Sequence, residues 1–263
     1  MSRKHYTAPY LLQPTNPITV NLIGAGGTGS KVITALAQLD TALFNLGHPG
    51  LQVNVYDDDV VTQANLGRQL FAESELHLSK SVALVNRINR FYGTCWKAFT
   101  CRYSIEGLKA RRRTGLANLT ITCVDSVAAR IEIAAILNKP QNKQDGPEHK
   151  YYWMDFGNSR YTGQCILSTV GEHPQPKSEK FTPVGLLPFV TDEYAEVLAQ
   201  SETGDDTPSC SLAEALTKQD LYMNGTLATM GMSLLWNLFR NGMTDSRGFF
   251  LNLADFRSQP LKV

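Results

Sequence analysis

The sequence has few cysteines and no long apolar run, and these absences exclude several classes of protein. Its five cysteines are an odd number and include no C-x-x-C pair, which argues against a disulfide scaffold and a structural zinc site. No stretch of about 18 apolar residues could span a membrane, and the N-terminus lacks the apolar core of a signal peptide. We therefore predict a cytoplasmic protein that binds neither zinc nor membranes.

An excess of charge of either sign is also missing. The 263 residues include 25 basic and 24 acidic side chains, a net charge of +1, whereas nucleic-acid-binding domains are usually basic. We interpret the one basic run, 111–113, as the solvated end of a helix rather than a phosphate or partner contact. A hydrophobic content of 43% suits one large α/β domain or two small ones, and no nucleic-acid partner is expected.

The strongest local pattern is a glycine-rich turn between an apolar strand and a long helix. Gly24, Gly26 and Gly29 have the spacing G-x-G-x-x-G, with a further glycine at Gly27. In such turns the first glycine allows the bend, the second lets the backbone approach a phosphate, and the third lets the helix pack on the strand. The free N–H groups at the helix start then face an anion. Packing alone can also require this spacing, but the flanking strand and helix favour nucleotide binding.

Strand-like and helix-like segments alternate along most of the chain. Alternation of this kind predicts a mostly parallel sheet with helices on both faces, a doubly wound α/β fold. The predicted strands are 18–23, 51–56, 95–101, 119–124, 151–156, 163–170 and 249–253, and the predicted helices are about 28–46, 79–91, 127–138, 211–219 and 221–241, with a short one within 189–200. We divide the chain into an N-terminal arm (1–17), a nucleotide-binding core (18–170), a long crossover segment (171–209) and a C-terminal part (210–263) that completes the same domain.

Polar side chains follow the second strand and open the next helix. Asp57 ends that strand, where a carboxylate reaches ribose hydroxyls in open α/β sheets. Asn65, Arg68 and Lys80 then bring an amide and two cations to the same edge of the sheet. Positioned cations bind a triphosphate and stabilise the charge that develops during its transfer. Asp125, at the end of a later strand, is a carboxylate of the type that holds Mg²⁺.

These motifs resemble those of the ThiF/MoeB/E1 superfamily, whose members activate ubiquitin-like proteins. The matching stretches are G-A-G-G-T-G-S, D-D-D-V-V-x-x-x-N-L-G-R-Q-L-F, the lysine that opens the next helix, and C-V-D-S-V-A-A-R. The second stretch is similar to the specific family pattern acidic-x-acidic-x-V followed by N-L-x-R-Q. The resemblance covers residues 18–170 firmly and the remainder weakly. The segments 153–158 and 208–211 look most like the ThiF-family members of the plasmid-borne PRTRC gene cluster.

The resemblance implies a Rossmann-like adenylation domain that uses ATP and Mg²⁺. Its substrate would be the C-terminal carboxylate of a small ubiquitin-like or sulfur-carrier-like protein, and it would form a homodimer, with an E2-like acceptor as a further partner. The implied roles are phosphate approach for Gly24, Gly26, Gly27 and Gly29, ribose binding for Asp57, phosphate binding for Asn65, Arg68 and Lys80, and Mg²⁺ binding for Asp125. The paired C-x-x-C motifs of many members are absent. The spacing of Arg3 does not allow it to be given the role of the partner-subunit arginine that many members use.

Cys210 is the candidate nucleophile for thioester formation. It follows the crossover segment and precedes a predicted helix, and a thiol at a helix N-terminus has a lowered pKa and is more nucleophilic. The alternative is a small residue beside a helix cap. The remaining cysteines lie in apolar strand patterns and are predicted to be buried core thiols; they are Cys95, Cys101, Cys123 and Cys165. The five histidines have no ligand spacing and are interpreted as surface or structural residues.

Other interpretations stay open. Asp58 and Asp59 can be exposed acids without a role, and Arg68 can be part of a structural ion pair. Arg130 is expected to brace the loop after the preceding strand, and Ser126 to cap the following helix. A nicotinamide- or flavin-dependent oxidoreductase would share the glycines and the ribose-binding acid but not the cations. A non-catalytic nucleotide-binding module of a plasmid-encoded assembly would bind nucleotide without releasing pyrophosphate.

Overall fold

The computed structural model describes residues 1–110, 115–141, 146–196, 198 and 220–263. The strands in this part of the chain are β1 Ser2–Tyr6, β2 Ile18–Ile23, β3 Leu51–Tyr56, β4 Lys97–Phe99, β5 Leu119–Thr122, β6 Tyr152–Asn158, β7 Thr162–Thr169, β8 Phe181–Pro183, β9 Met243–Thr244, β10 Ser246–Asn252 and β11 Arg257–Lys262. The helices are α1 Pro9–Leu12, α2 Gly27–Asn45, α3 Lys80–Tyr92, α4 Ile105–Ala110, α5 Val127–Leu137, α6 Val190–Glu193 and α7 Met223–Asn241.

Eight strands form one mixed sheet in the order β11-β10-β7-β6-β5-β2-β3-β4. The five strands from β6 to β4 run parallel, and β7, β10 and β11 extend the sheet through antiparallel pairings. The central strand β2 is buried on both faces, which explains its nearly continuous apolar sequence. Val20 of β2 lies between Val53 of β3 and Leu119 of β5. The predicted doubly wound, mostly parallel α/β fold is confirmed.

The direction in which the chain crosses the sheet reverses between β2 and β5. From β2 the chain passes through α2 to β3 and through α3 to β4 on one side, and then returns to β5 and β6 on the other. Ligands of open α/β sheets bind outside the carboxyl ends of the strands at such a point. The glycine turn follows β2 and residues 123–126 follow β5, so both segments border this crevice.

Helices cover both faces of the large sheet. A buried cluster packs α2, α3 and α7 against one face through aliphatic side chains such as Leu36, Leu84 and Leu227. A second cluster packs α5 against the other face, with Ile133 beside the fully buried Trp153. Burial of each large apolar side chain contributes about 1.5–3 kcal/mol, so the two clusters hold the helices that frame the crevice.

The N-terminal arm contains regular elements that were not predicted. Residues 1–17 were predicted only as an arm, and within them Ser2–Tyr6 forms β1 and Pro9–Leu12 forms a helical turn. β1 pairs in parallel with β8 and antiparallel with β9, which makes a second, three-stranded sheet. A strand this short has too few residues to show a periodicity, and its conformation depends on its distant partners.

Two further expectations are corrected. The predicted last strand, 249–253, is part of a hairpin whose second strand, β11, is polar, contains Pro260 and lies at the edge of the sheet. Cys95 was predicted to be a core thiol but is exposed, because β4 begins only at Lys97. Cys101 and Cys123 are partly buried, and Cys165 is buried.

Some predicted elements lie outside the described residues. These are the helix 211–219 and the basic run 111–113, while the described helix within 189–200 is the short α6. Among the described helices, none combines the length and the hydropathy that a membrane span requires.

Candidate functional site

The glycine turn is closed by neighbouring atoms at three of its glycines and open at the fourth. Gly24 has φ +91°, and a Cβ atom there would lie 2.6 Å from the carbonyl oxygen of Cys123. A Cβ atom at Gly29 would lie 1.8 Å from the carbonyl oxygen of Gly24, and one at Gly27 would lie 2.4 Å from a side-chain nitrogen of α7. A Cβ atom at Gly26 would meet nothing within 4 Å. The open side at Gly26 is therefore where an anion can approach the N–H groups that start α2.

Asp57 joins the end of β3 to the glycine turn. Its Oδ2 accepts a hydrogen bond from the backbone N–H of Ala25 at 2.6 Å, and its Oδ1 accepts one from the N–H of Asp59 at 2.9 Å. Burial raises the pKa of the Asp57 carboxyl, and the Ala25 hydrogen bond and the positive charge of Lys80 oppose that shift. The acid that the sequence singled out therefore contacts the turn directly.

Lys80 lies beside this acid but is paired with a different carboxylate. Its Nζ donates to Oδ2 of Asp59 at 2.7 Å, and the lysine side chain is only 9% exposed, compared with 66% for Asp59. The carboxylate oxygens of Asp57, Asp58 and Asp59 lie within 4.8 Å of one another. Lys80 therefore offsets part of a concentrated negative charge. Asp59 is exposed, but its contact with Lys80 means that it is not an acid without a role.

The loop that carries Asn65 and Arg68 is attached to the start of α2. The N–H of Leu70 donates to Oγ of Ser30 at 3.2 Å. Asn65 is buried, and its Oδ1 accepts a hydrogen bond from the N–H of Thr62 at 2.9 Å, so Nδ2 is the half of the amide that can donate to a phosphate. Burial lowers the pKa of the half-buried Arg68 guanidinium. The contact of Leu70 with Ser30 thus attaches the loop that carries Asn65 and Arg68 to the helix that begins at the glycine turn.

Asp125 is exposed in the loop after β5, and Arg130 holds that loop in place. The Nη2 of Arg130 donates to the carbonyl oxygen of Val124 at 2.7 Å, and its Nε lies 3.1 Å from both carboxylate oxygens of Asp155. Oγ of Ser126 accepts a hydrogen bond from an N–H in the first turn of α5 at 3.2 Å. The predictions that Arg130 braces this loop and that Ser126 caps the helix are both confirmed.

Asp155, the buried partner of Arg130, was not predicted from the sequence. Its carboxylate also accepts a hydrogen bond from Oγ1 of Thr122 at 2.5 Å. Burial raises the pKa of Asp155, and Arg130 and Thr122 oppose the shift. Both residues are buried, and Asp155 lies beside Thr122, the last residue of β5, so the pair anchors the loop that follows β5 from the core.

Asn224, in the first turn of α7, is a second residue that the sequence analysis missed. Its Oδ1 accepts hydrogen bonds from Oγ1 of Thr28 at 2.8 Å and from Nδ2 of Asn158 at 3.1 Å. The residue is 1% exposed. Thr28 and Asn224 are 196 positions apart, so no local pattern could have revealed the contact.

The remaining candidates are either structural or outside the described residues. His5 is buried; its Nδ1 contacts the carbonyl oxygen of Val184 at 2.7 Å and its Nε2 contacts the hydroxyl of Tyr152 at 2.9 Å. This confirms a structural role for His5. Cys210, the predicted nucleophile, lies outside the described residues.

A family comparison decides how this arrangement is classified. The model of the ThiF family matches residues 13–262, which is nearly the whole chain. The chain belongs to the ThiF family. The resemblance to the ThiF/MoeB/E1 superfamily seen in the motifs is thereby confirmed, and the match to the PRTRC members stays a prediction. No curated protein sequence matches this ThiF-family chain.

Solved structures share the fold of this ThiF-family chain at low sequence identity. PaaA is 15% identical with a TM-score of 0.61, and the alignment covers 96% of this chain and 74% of PaaA. MccB of E. coli solved with ATP is 12% identical with a TM-score of 0.59, covering 96% of this chain and 64% of MccB. MccB of E. coli solved with AMPCPP and MccA is also 12% identical, with a TM-score of 0.60 and coverages of 97% and 66%. This chain thus spans about two thirds of MccB, and the likeness concerns the fold.

Proposed function

We propose that the protein binds ATP at the glycine turn and adenylates a carboxylate at the C-terminus of a small ubiquitin-like or sulfur-carrier-like protein. The observation that carries this proposal is the 2.6 Å hydrogen bond from the Ala25 N–H to Asp57, with Lys80 close enough to influence the pKa of that acid. It joins a ribose-binding type of carboxylate, a phosphate-binding turn and a cation in one site of a ThiF-family chain.

The phosphate chain would lie over the open face of Gly26. N–H groups at the start of α2 would donate to it, and the positive end of the helix dipole favours its charge. Arg68 and Lys80 would neutralise the phosphate oxygens, with Nδ2 of Asn65 as a further donor. Asp59 accepts one hydrogen bond from the ammonium group of Lys80, which has further N–H donors for a phosphate oxygen.

Asp125 suits Mg²⁺ because it is an exposed carboxylate on a braced loop at the same end of the sheet. Mg²⁺ in nucleotide sites is usually held by one or two carboxylates together with phosphate oxygens, so a single acid is sufficient. When bound, the ion would neutralise charge on the phosphates.

The chemical step is a displacement at the α-phosphorus of ATP. A carboxylate oxygen of the partner attacks, a bond from that oxygen to phosphorus forms, and the bond from phosphorus to the bridging oxygen breaks, so pyrophosphate leaves. The attacking carboxylate is already ionised at pH 7, and no general base is needed. The contribution of the protein is to position the reactants and to stabilise charge through Arg68 and Lys80.

The identity of the partner is part of the proposal. MccB, which shares the fold, has been solved with ATP and with MccA. For the present chain we propose a carboxyl-terminal tail as the acceptor of AMP and a homodimer as the assembly. In a thioester branch, the Cys210 thiolate would attack the acyl carbon of the adenylate, the bond from that carbon to the AMP oxygen would break, and AMP would leave; a thiol of an E2-like acceptor would then take the acyl group and release Cys210. A covalent adduct with the partner that thiols cleave and that Cys210→Ala abolishes would support that branch. An adduct that persists in this variant would refute it.

ATP–pyrophosphate exchange tests the adenylation reaction. Candidate ubiquitin-like proteins from the same genome are added one at a time to the purified chain with Mg²⁺, ATP and labelled pyrophosphate. We expect exchange that depends on one partner and its free C-terminus, and that falls at least about 100-fold in Asp125→Ala. The matched control is Asp192→Ala, an exposed acid on α6 that should exchange at the wild-type rate. Exchange that survives Asp125→Ala unchanged would overturn the assigned role of Asp125.

A further inference from the structure

Asn224 connects three segments that meet behind the phosphate-binding turn. It belongs to the first turn of α7, and its Oδ1 accepts hydrogen bonds from Thr28 on α2 and from Asn158 at the end of β6. These contacts join the start of α2, the end of a sheet strand and the first turn of the C-terminal helix α7. Asn224 is 1% exposed, so water cannot readily replace a hydrogen-bond partner that its amide loses.

The same amide occupies the space beside Gly27. A Cβ atom at Gly27 would lie 2.4 Å from Nδ2 of Asn224 and 2.9 Å from its Cγ. Gly27 has no positive φ, so this side chain, rather than the backbone conformation, excludes a larger residue there. Gly26 is open on the side where an anion would approach, and Asn224 closes the next position along the chain.

We infer that Asn224 is a positioning residue that fixes the first turn of α2 for the phosphates of the nucleotide. It acts through Gly27 and Thr28 and does not itself touch the ligand. The inference rests on the proposed ATP-binding function, and it adds to the site a residue from α7, near the C-terminal end of the chain. Because the hydroxyl of Thr28 is held by Asn224 at 2.8 Å, that hydroxyl serves the placement of the turn.

The inference predicts which part of a nucleotide depends on Asn224. A displaced first turn of α2 weakens the N–H contacts to the phosphates but leaves the contact of Asp57 with ribose unchanged. In Asn224→Ala the Kd for ATP·Mg²⁺ should therefore rise about tenfold, while the Kd for adenosine stays within about twofold of wild type. If the role of Asn224 were purely structural, its substitution would weaken the binding of both ligands equally or of neither.

A double substitution tests the steric part. Gly27→Ala should weaken ATP binding strongly, because its methyl group meets the Asn224 amide. In Gly27→Ala/Asn224→Ala that methyl group has space, so the Kd should return to the value of Asn224→Ala alone. Thr28→Val removes the hydrogen bond at nearly constant volume, and it should reproduce the ATP-selective loss even if Asn224→Ala folds poorly. Asn237→Ala, an exposed position on the same helix, is the matched control and should bind both ligands as wild type does.

The measurement is isothermal titration of ATP·Mg²⁺ and adenosine into each variant, with the melting temperature recorded beside it. If wild type binds ATP and Asn224→Ala binds it equally well, or if the penalty of Gly27→Ala persists in the double variant, the inference is overturned. If wild type binds no ATP, the proposed function fails instead. The melting temperatures then test whether Asn224 excludes a side chain at Gly27. Gly27→Ala should lower the melting temperature less in the Asn224→Ala background than in wild type, and an equal decrease in both backgrounds would contradict the steric claim.

Discussion

The ammonium group of Lys80 lies 2.7 Å from a carboxylate oxygen of Asp59, so a cation proposed to bind phosphate is paired with an acid of the protein. This acid is two-thirds exposed, and it adds negative charge close to the proposed path of the triphosphate. Asp59 and the phosphate groups of a nucleotide would therefore compete for the positive charge of Lys80.

Removing that competition should strengthen ATP binding. We expect Asp59→Asn to lower the Kd for ATP·Mg²⁺ about threefold at low salt, since it removes a negative charge beside the proposed phosphate site and leaves the charge of Lys80 for the nucleotide. The gain should shrink as ionic strength rises. Isothermal titration at two salt concentrations measures it, with Asp192→Asn as control. Weaker binding in Asp59→Asn would show that Asp59 is a ligand rather than a competitor.

Asp57 should leave a signature in the pH dependence of folding. Its folded pKa is raised because burial disfavours the charged form, so its ionisation costs stability as pH rises from the unfolded pKa through the folded one. Asp57→Asn removes this titration. The stability of the variant relative to wild type should therefore improve between pH 4 and pH 7, measured by urea unfolding without nucleotide. A relative stability that falls with rising pH would mean that the folded pKa is lowered instead.

His5 should make the protein sensitive to mild acid. Burial lowers its pKa, and the contact with the carbonyl oxygen of Val184 opposes that shift; the ring also contacts the hydroxyl of Tyr152 and lies 5.9 Å from the ring of His173. The stabilising contribution is present above the unfolded pKa of about 6.5 and is lost as pH falls towards the folded pKa. The melting temperature of His5→Gln should therefore depend less on pH between 7 and 5 than that of wild type. An equal dependence in both proteins would contradict this account.

The ion pair of Arg130 and Asp155 should dominate the stability of the loop after β5. Arg130→Ala leaves a buried carboxylate without its cation, which typically costs about 3–5 kcal/mol. Arg90→Ala, at an exposed position on α3, should change the free energy of unfolding by less than about 0.5 kcal/mol. Denaturant unfolding of both variants makes the comparison. A loss below about 1 kcal/mol for Arg130→Ala would show that Asp155 is readily neutralised or solvated.

The sequence predicted the parts of the fold that depend on local patterns. The strand 18–23 and the strand 51–56 have the predicted bounds, because both are apolar segments ended by glycine or acidic residues. β1 and β11 were not predicted, since they are short or polar edge strands whose pairing is a tertiary property. The sequence therefore predicted the positions of the central strands better than those of strands at the edges of the sheets.

The candidate site shows the same division. Asp57 and the glycines were identified because strand, turn and acid follow a fixed spacing, and the described chain brings Asp57 into contact with Ala25. The pairing of Lys80 with Asp59 and the contacts of Asn224 could not be read from the sequence, because they depend on how separate segments meet. The spacing of a motif identifies candidate ligand-binding residues, and it gives no information about the distant residues that contact them.

Titration of two nucleotides into wild type and Lys80→Ala tests the central claim most directly. We expect that ATP·Mg²⁺ binds to wild type, that its Kd rises at least about tenfold in Lys80→Ala, and that NAD⁺ binds more weakly than ATP to both proteins. Tighter binding of NAD⁺ than of ATP, together with an ATP affinity unchanged in Lys80→Ala, would contradict the claim that this rim of the sheet holds the triphosphate.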